Sequence, residues 1–213
     1  MRTLSRYVFV AVGVTIVAAA SIAAAAQKGT QQKIRIRGTI EKIDGQMLDV
    51  KSREGANLKV KMADKVRLTA MVKASLADLK PDTYIGVTAM PQADGGQRAV
   101  AIHIFQPKQR GTGEGHRPWD LQPGSTMTNA AIETTVAGTD GQVITVRYKQ
   151  GDKIDQKKVI VTARTVIVRY LPGDRKELKS GLRVMLNNAT KNPDGTINAP
   201  TVSYGRDGVV PPM

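Results

Sequence analysis

The sequence predicts an all-β protein with short helical turns, organised as two small β-barrels in tandem. Three observations support this fold class. Apolar and polar residues alternate strictly at 34–40 and again at 58–62, which is the pattern of half-buried strands. Asp-Gly pairs recur between such runs, as in type I′ hairpin turns. A stretch at 107–129, rich in glycine and proline and without periodicity, separates two similar segments.

The first segment, residues 33–107, is predicted to form the first barrel. Strands are expected at 34–40, 47–51, 58–62, 66–71, 84–90 and 99–105, with a hairpin turn at Asp44-Gly45. Ser75 and Asp78 have the spacing of a capping box, which predicts one or two helical turns over 76–79 before Pro81. Gly38 interrupts the apolar face of the first strand, and such a glycine is typical of the point at which a strand bends to close a barrel.

The second segment, residues 130–206, repeats this order and is predicted to form the second barrel. Asp140-Gly141 corresponds to Asp44-Gly45, and Asp194-Gly195 corresponds to Asp94-Gly95. A short helix is expected at 175–178. Duplication of one fold explains these ordered matches. Residues 108–129 are then a connector between the barrels, and 207–213 form a C-terminal tail.

The N-terminal residues predict export. Arg2 and Arg6 precede an uncharged apolar run at 7–20, and Ala24-Ala25-Ala26 matches a signal-peptidase site, so residues 1–26 are expected to be a cleaved signal peptide. The alternative is an uncleaved anchor, because 7–26 has about the length that spans a bilayer. We expect a periplasmic or secreted protein without a transmembrane span after cleavage.

Composition narrows the function. The chain holds no cysteine, which excludes disulfides, thiolate metal sites and thiol nucleophiles. Its net charge of +14 includes Arg2 and Arg6 of the expected signal peptide, and the rest of the excess is shared between both segments, which favours an envelope protein or an anionic surface as partner. Aromatic residues make up only 4% of the chain, with the tyrosines spread along it, so a nucleic-acid platform is not expected.

The turn and core motifs resemble those of a known family. They are an initial strand with Gly38, an Asp-Gly-Gln turn, a Leu-Lys-Pro-Asp or Leu-Lys-Ser-Gly element, and a closing Asp-Gly pair five residues before an alanine. Together they are similar to an exported bacterial family of tandem small OB-like β-barrel domains of unknown function. The resemblance covers most of 34–105 and 132–204. It implies an OB-like fold and brings no catalytic residues.

The candidate site residues lie in the connector: His116, Arg117, Trp119 and Asp120. We expect them to contact a partner or ligand, and we expect Trp119 to be mostly buried between the barrels. His103 alternates with Ile102 and Ile104, which predicts a position on the strand surface. No catalytic group, cofactor site or metal site is predicted, because no serine elbow, phosphate loop or paired imidazole is present.

The sequence therefore favours a non-enzymatic envelope binding or scaffolding module that acts through its barrel faces on a protein or anionic partner. The alternative is a periplasmic carrier or chaperone for a small ligand or metal, held at the connector by His116, Trp119 and Asp120.

Overall fold

The computed structural model describes residues 32–139 and 141–212, which are almost entirely β-structure, so the all-β prediction is confirmed. The predicted signal peptide, residues 1–26, lies outside the described residues. The strands are β1 Ile34–Asp44, β2 Met47–Ser52, β3 Asn57–Lys73, β4 Tyr84–Pro91, β5 Gln97–Ile104, β6 Gly115–Pro118, β7 Thr126–Gly138, β8 Gly141–Gln150, β9 Lys153–Thr162, β10 Val166–Pro172, β11 Arg183–Lys191 and β12 Ile197–Gly205.

Short 3₁₀ helices complete the described chain at Leu76–Asp78, Pro107–Gln109 and Arg175–Glu177. The first and the last were expected at 76–79 and 175–178. As the capping box predicts, the Asp78 carboxylate accepts a hydrogen bond of 2.8 Å from the Ser75 backbone N–H. None of the helices in the described ranges has the length and apolar character needed to cross a membrane.

Five strands close the first barrel in the order β1, β2, β3, β12 and β11. Neighbouring strands are antiparallel except β3 and β12, which pair in parallel from Val60 with Ile197 to Met71 with Gly205. The ring closes where β11 pairs with β1, as in Ile36 opposite Leu186. A five-stranded closed ring of this kind is the architecture of an OB-like barrel.

The second barrel has the same plan, with β7, β8, β9, β5 and β4 in ring order. Its parallel closure joins β5 to β9 at Gln97 with Val159, and the antiparallel closure joins β4 to β7 at Ile85 with Ala130. Strand β10 lies between the barrels, antiparallel to β3 and parallel to β5. The register of the first strand shifts in both barrels, after Ile40 in β1 and after Ile132 in β7. The order of elements is the same in the two halves, except that β9 and β10 stand where the first half has the single strand β3.

The predicted division into separate barrels at 33–107 and 130–206 requires a correction. Each barrel takes three strands from one half of the chain and two from the other: β1–β3 with β11 and β12, and β7–β9 with β4 and β5. The halves therefore exchange their last two strands. The connector is also placed differently from the prediction, because it joins β5 to β7 within the second barrel, and residues 126–129 already belong to β7.

Three apolar cores follow from this exchange. One fills the first barrel around Ile40, Val60 and Val202, and another fills the second barrel around Ile85, Ile102 and Ile144. The third consists of Met71, Val168, Tyr170 and Met185, with Phe105 and Val209 packed against it. These residues come from β3, β10 and β11 and from the segments that follow β5 and β12. Strands β4 and β12 are buried on both faces over much of their length.

Candidate functional site

A cleft of about 280 Å³ lies where the two barrels and the connector meet. The first barrel contributes Arg67 and Met185, the second contributes His103 and Asn129, and the connector contributes Trp119, each among further neighbours. The volume falls just below the range of about 300–1,000 Å³ typical of small-molecule pockets. The cleft is therefore suited to a small ligand or to one side chain of a partner.

A glycine on β4 opens the floor of the cleft. Gly86 stands opposite His103 on β5 and opposite Asn129 on β7, so the three residues form one row across the sheet. A Cβ atom at position 86 would lie 2.0 Å from His103 Nε2. Only glycine leaves the space that the imidazole occupies. His103 and Asn129 consequently face the cleft side by side.

His103 is buried, with 2% of its surface exposed, so the prediction of a surface position is wrong. Alternation placed it correctly on the face opposite Ile102 and Ile104, but that face is covered by the neighbouring barrel. Its ring stacks on Tyr170 at a centroid distance of 5.3 Å. Burial, reinforced by the charge of Arg117, lowers the pKa of His103 to about 3, so the imidazole is neutral at physiological pH.

The fold gathers aromatic rings that are far apart in the sequence. Phe105 lies 5.3 Å from Tyr84, His103 and Tyr170 between ring centroids, and it meets the last two edge to face. Burial, with the charge of Glu114, raises the pKa of Tyr84 to about 12. Tyr84 and Tyr170 are thus far apart in the sequence but belong to one aromatic cluster in the folded chain.

Three buried polar atoms on the lining of the cleft lack a hydrogen-bond partner: His103 Nδ1, Trp119 Nε1 and Asn129 Oδ1. The Asn129 side chain is 5% exposed, and its Nδ2 donates to the Thr112 carbonyl at 2.9 Å. An unpaired buried polar group costs about 1–3 kcal/mol, and folded proteins rarely leave several in one place. Because all three atoms line one cleft and need a hydrogen-bond partner from outside the chain, either water or a ligand, the cleft is a candidate binding site.

The lining of the cleft carries positive charge only. Arg67 and Arg117 contribute guanidinium groups, and no aspartate or glutamate is among the lining residues. Of the residues that the structure describes, none forms an ion pair with either arginine. Arg117 donates to the Gly113 carbonyl at 2.9 Å, and burial, with the charge of Arg35, lowers its pKa. Guanidinium groups remain protonated in proteins, so both charges are available to an anion.

Trp119 is half-buried and lies against strand β1 of the first barrel. The Arg35 guanidinium stacks 3.7 Å from the centroid of the indole, in a cation–π contact. Asp120 accepts from Arg35 at 2.9 Å and from Arg37 at 2.8 Å. Desolvation raises the pKa of Asp120, but the two arginines outweigh it and hold the pKa at about 2. Asp120 and Trp119 therefore attach the connector to strand β1 of the first barrel.

The four predicted contact residues are thus only partly brought together. Arg117 and Trp119 line the cleft, whereas Asp120 is engaged by the arginines of β1. His116 Nδ1 lies 2.8 Å from Thr128 Oγ1, and its ring faces Tyr148 at 6.3 Å rather than the cleft lining. Within residues 32–139 and 141–212, no group of three or more histidine, aspartate and glutamate side chains could hold a metal ion.

The duplication does not produce a second copy of this floor. The first barrel has a corresponding row of three residues across its sheet. In this row Ser203 takes the place of His103, Met185 that of Gly86, and Arg37 that of Asn129. Met185 therefore stands in the first barrel at the position that Gly86 has in the second, and its side chain lines the cleft from the opposite side. The two halves have diverged where they face each other, so the site is asymmetric.

One signal in the sequence marks the opposite wall, and it was missed. Asn187 and Asn188 interrupt the apolar pattern of β11, and Asn188 takes a left-handed backbone conformation with φ of 54°. Asparagine adopts this conformation more readily than most residues, and it commonly marks a bulge. Both side chains line the cleft, and Asn187 Oδ1 accepts from Arg35 at 3.2 Å.

No protein-family model matches the chain, and neither a curated protein nor a solved structure matches it significantly.

Proposed function

We propose that this protein is a non-enzymatic binding module that takes a small anionic ligand in the cleft between its barrels. One observation carries the proposal: the cleft presents Arg67 and Arg117, has no acidic residue in its lining, and holds three buried polar atoms without partners. Arginine is the residue of choice for carboxylate and phosphate groups, because its planar donors match their oxygens.

The overall charge supports an anionic ligand. A net charge of +14 attracts anions toward the molecule and raises their rate of encounter with a positively lined cleft. The buried position of the unpaired atoms makes a hydrogen bond to them stronger than one at the surface, because water does not compete there. Long-range attraction and local recognition thus act in the same direction.

This proposal joins the two functions expected from the sequence. It keeps the anionic partner of the binding-module hypothesis and the small ligand of the carrier hypothesis, and it moves the site from His116 and Asp120 to the cleft beside Trp119. The metal carrier receives no support from the described residues. Export to the periplasm or exterior, and membership of the exported OB-like family, stay predictions that N-terminal sequencing of envelope-purified protein tests in part.

The test is binding measured by calorimetry. The full chain, titrated with acetate, benzoate and inorganic phosphate at low salt, should bind at least one of these anions. Arg117→Gln should weaken that binding about tenfold, the loss of one charge-assisted hydrogen bond. Arg98→Gln is the matched control, because Arg98 is exposed on β5 and does not line the cleft.

Native mass spectrometry of protein purified from its own envelope gives a second readout. A retained small anion supports the proposal. A co-purifying protein with an empty cleft would favour the scaffolding alternative, and equal anion binding by Arg117→Gln and wild type would contradict the assignment of the cleft.

A further inference from the structure

The cleft has an apolar part next to its charged part. Met127, Met185 and Phe105 line it together with Tyr170. Met127 and Met185 are each 1% exposed, so their side chains form a fixed wall rather than a mobile rim. An inorganic anion has no surface to place against such a wall. An organic anion with an apolar body does.

The polar atoms set a further requirement. The Trp119 indole N–H is a donor only, so it needs an acceptor. Asn129 Nδ2 is engaged by the Thr112 carbonyl, so its free Oδ1 needs a donor. A bare carboxylate satisfies the indole and the arginines but offers nothing to Asn129. The ligand must therefore supply at least one O–H or N–H group besides its acid group.

Resting on the proposed function, we propose that the ligand is a small aromatic acid that carries a hydroxyl or amino group. Its carboxylate binds Arg67 and Arg117. Its ring packs between Met127 and Met185 beside Phe105 and Tyr170. Its hydroxyl or amino hydrogen bonds to Asn129 Oδ1.

An aromatic body fits this wall better than an aliphatic one. Methionine sulfur makes favourable contacts with aromatic ring edges, and two methionines face the cleft. The rings of Tyr170 and Phe105 can make edge-to-face or stacked contacts with the aromatic ring of a ligand. A saturated ring of the same size gains the apolar contact alone.

Calorimetry with four probes tests the ligand class: 4-hydroxybenzoate, benzoate, cyclohexanecarboxylate and inorganic phosphate, each titrated into the full chain. We expect 4-hydroxybenzoate to bind about tenfold more tightly than benzoate, the value of one additional net hydrogen bond. We expect benzoate to bind more tightly than cyclohexanecarboxylate, and phosphate to bind most weakly.

Two variants assign the atoms. Asn129→Leu should abolish the preference for 4-hydroxybenzoate over benzoate, whereas Asn57→Leu, at an exposed position outside the cleft, should keep it. If Asn129→Leu does not fold, Trp119→Phe retains the ring and removes the indole N–H, and it should weaken every organic acid several-fold.

The outcomes separate the two proposals. Phosphate that binds as tightly as the aromatic acids would overturn the ligand class and leave the anion-binding function standing. A hydroxyl preference that survives in Asn129→Leu would overturn the assignment of Asn129. No binding of any probe would overturn both proposals.

Discussion

Acid should destabilise this protein through His103 at pH values where its carboxylates are still mostly ionised. In the folded state burial holds the pKa of this imidazole at about 3, whereas an unfolded chain has the ordinary value of about 6.5. Between pH 6.5 and pH 3 the His103 imidazole is therefore protonated in the unfolded state but not in the folded state. The contribution of the neutral His103 to the free energy of unfolding is fully present above pH 6.5 and is lost progressively as the pH falls toward 3.

The expected magnitude follows from this difference. Each pH unit between the two pKa values corresponds to about 1.4 kcal/mol, so the loss at pH 4.5 is about 3 kcal/mol. Typical domains unfold with only about 5–15 kcal/mol, so the effect is a large share of the total. Carboxylates such as Asp120, with a pKa of about 2, are still ionised in the folded state at pH 4.5.

The assay is urea unfolding followed by circular dichroism at pH 7.0, 5.5 and 4.5. His103→Gln removes the titrating group, so its stability should fall about 3 kcal/mol less than that of the wild type across this range. His116→Gln is the matched control. Burial lowers the pKa of His116 to a lesser extent, so this variant should keep most of the acid sensitivity. Equal pH dependence in His103→Gln and wild type would refute the assignment of a buried neutral imidazole.

Three further substitutions test the cleft and the connector. Gly86→Ala should lower the melting temperature by several degrees, because its Cβ would lie 2.0 Å from His103 Nε2, and thermal denaturation would show this; an unchanged melting temperature would contradict the close approach. Asp120→Asn should weaken the contact with Arg35 and Arg37 and shift tryptophan emission to the red, whereas unchanged emission would show that these ion pairs do not hold the connector. Trp119→Ala should lower the melting temperature and abolish anion binding; a readily quenched wild-type emission with an unchanged melting temperature would instead show an exposed indole.

Local features were predictable from the sequence because local physics determines them. Alternation at 34–40 and 58–62 identified strands, although 58–62 and 66–71 form one long strand, β3. Asp44-Gly45 marked the hairpin between β1 and β2, although Asp44 pairs with Met47 and the two turn residues are Gly45 and Gln46. Of these two only Gly45 has a positive φ, 55°, so the turn is not of the expected type I′. Ser75 and Asp78 marked a short helix. The repeated order of turns also predicted the order of elements in both halves, except that β9 and β10 of the second half correspond to the single strand β3 of the first.

Long-range features were not predictable in this way. Because the two halves repeat the same strand pattern, a strand of one half fits the partner of either copy, and alternation does not say which copy it joins. The same limit explains the error at His103. Alternation assigns it to the outer face of β5 but does not show that another barrel covers that face. The candidate site was found in part, through Trp119 and Arg117, because a lone indole among prolines and glycines is conspicuous.

The exchange of strands creates the cleft, and a cut in the connector tests it most directly. A protease site can be inserted after Gly111, because a Cβ atom added at this glycine would have no other atom within 4 Å. Gly111 lies between β5 and β6, so cleavage there separates the two halves of the chain without cutting a strand. Because β11 and β12 complete the first barrel and β4 and β5 complete the second, the two fragments should stay together as a 1:1 complex in gel filtration. Separated in urea, each fragment alone should fail to regain β-structure by circular dichroism, and mixing should restore it. Fragments that part under native conditions, each with its own cooperative unfolding transition, would contradict the exchanged barrels and the cleft between them.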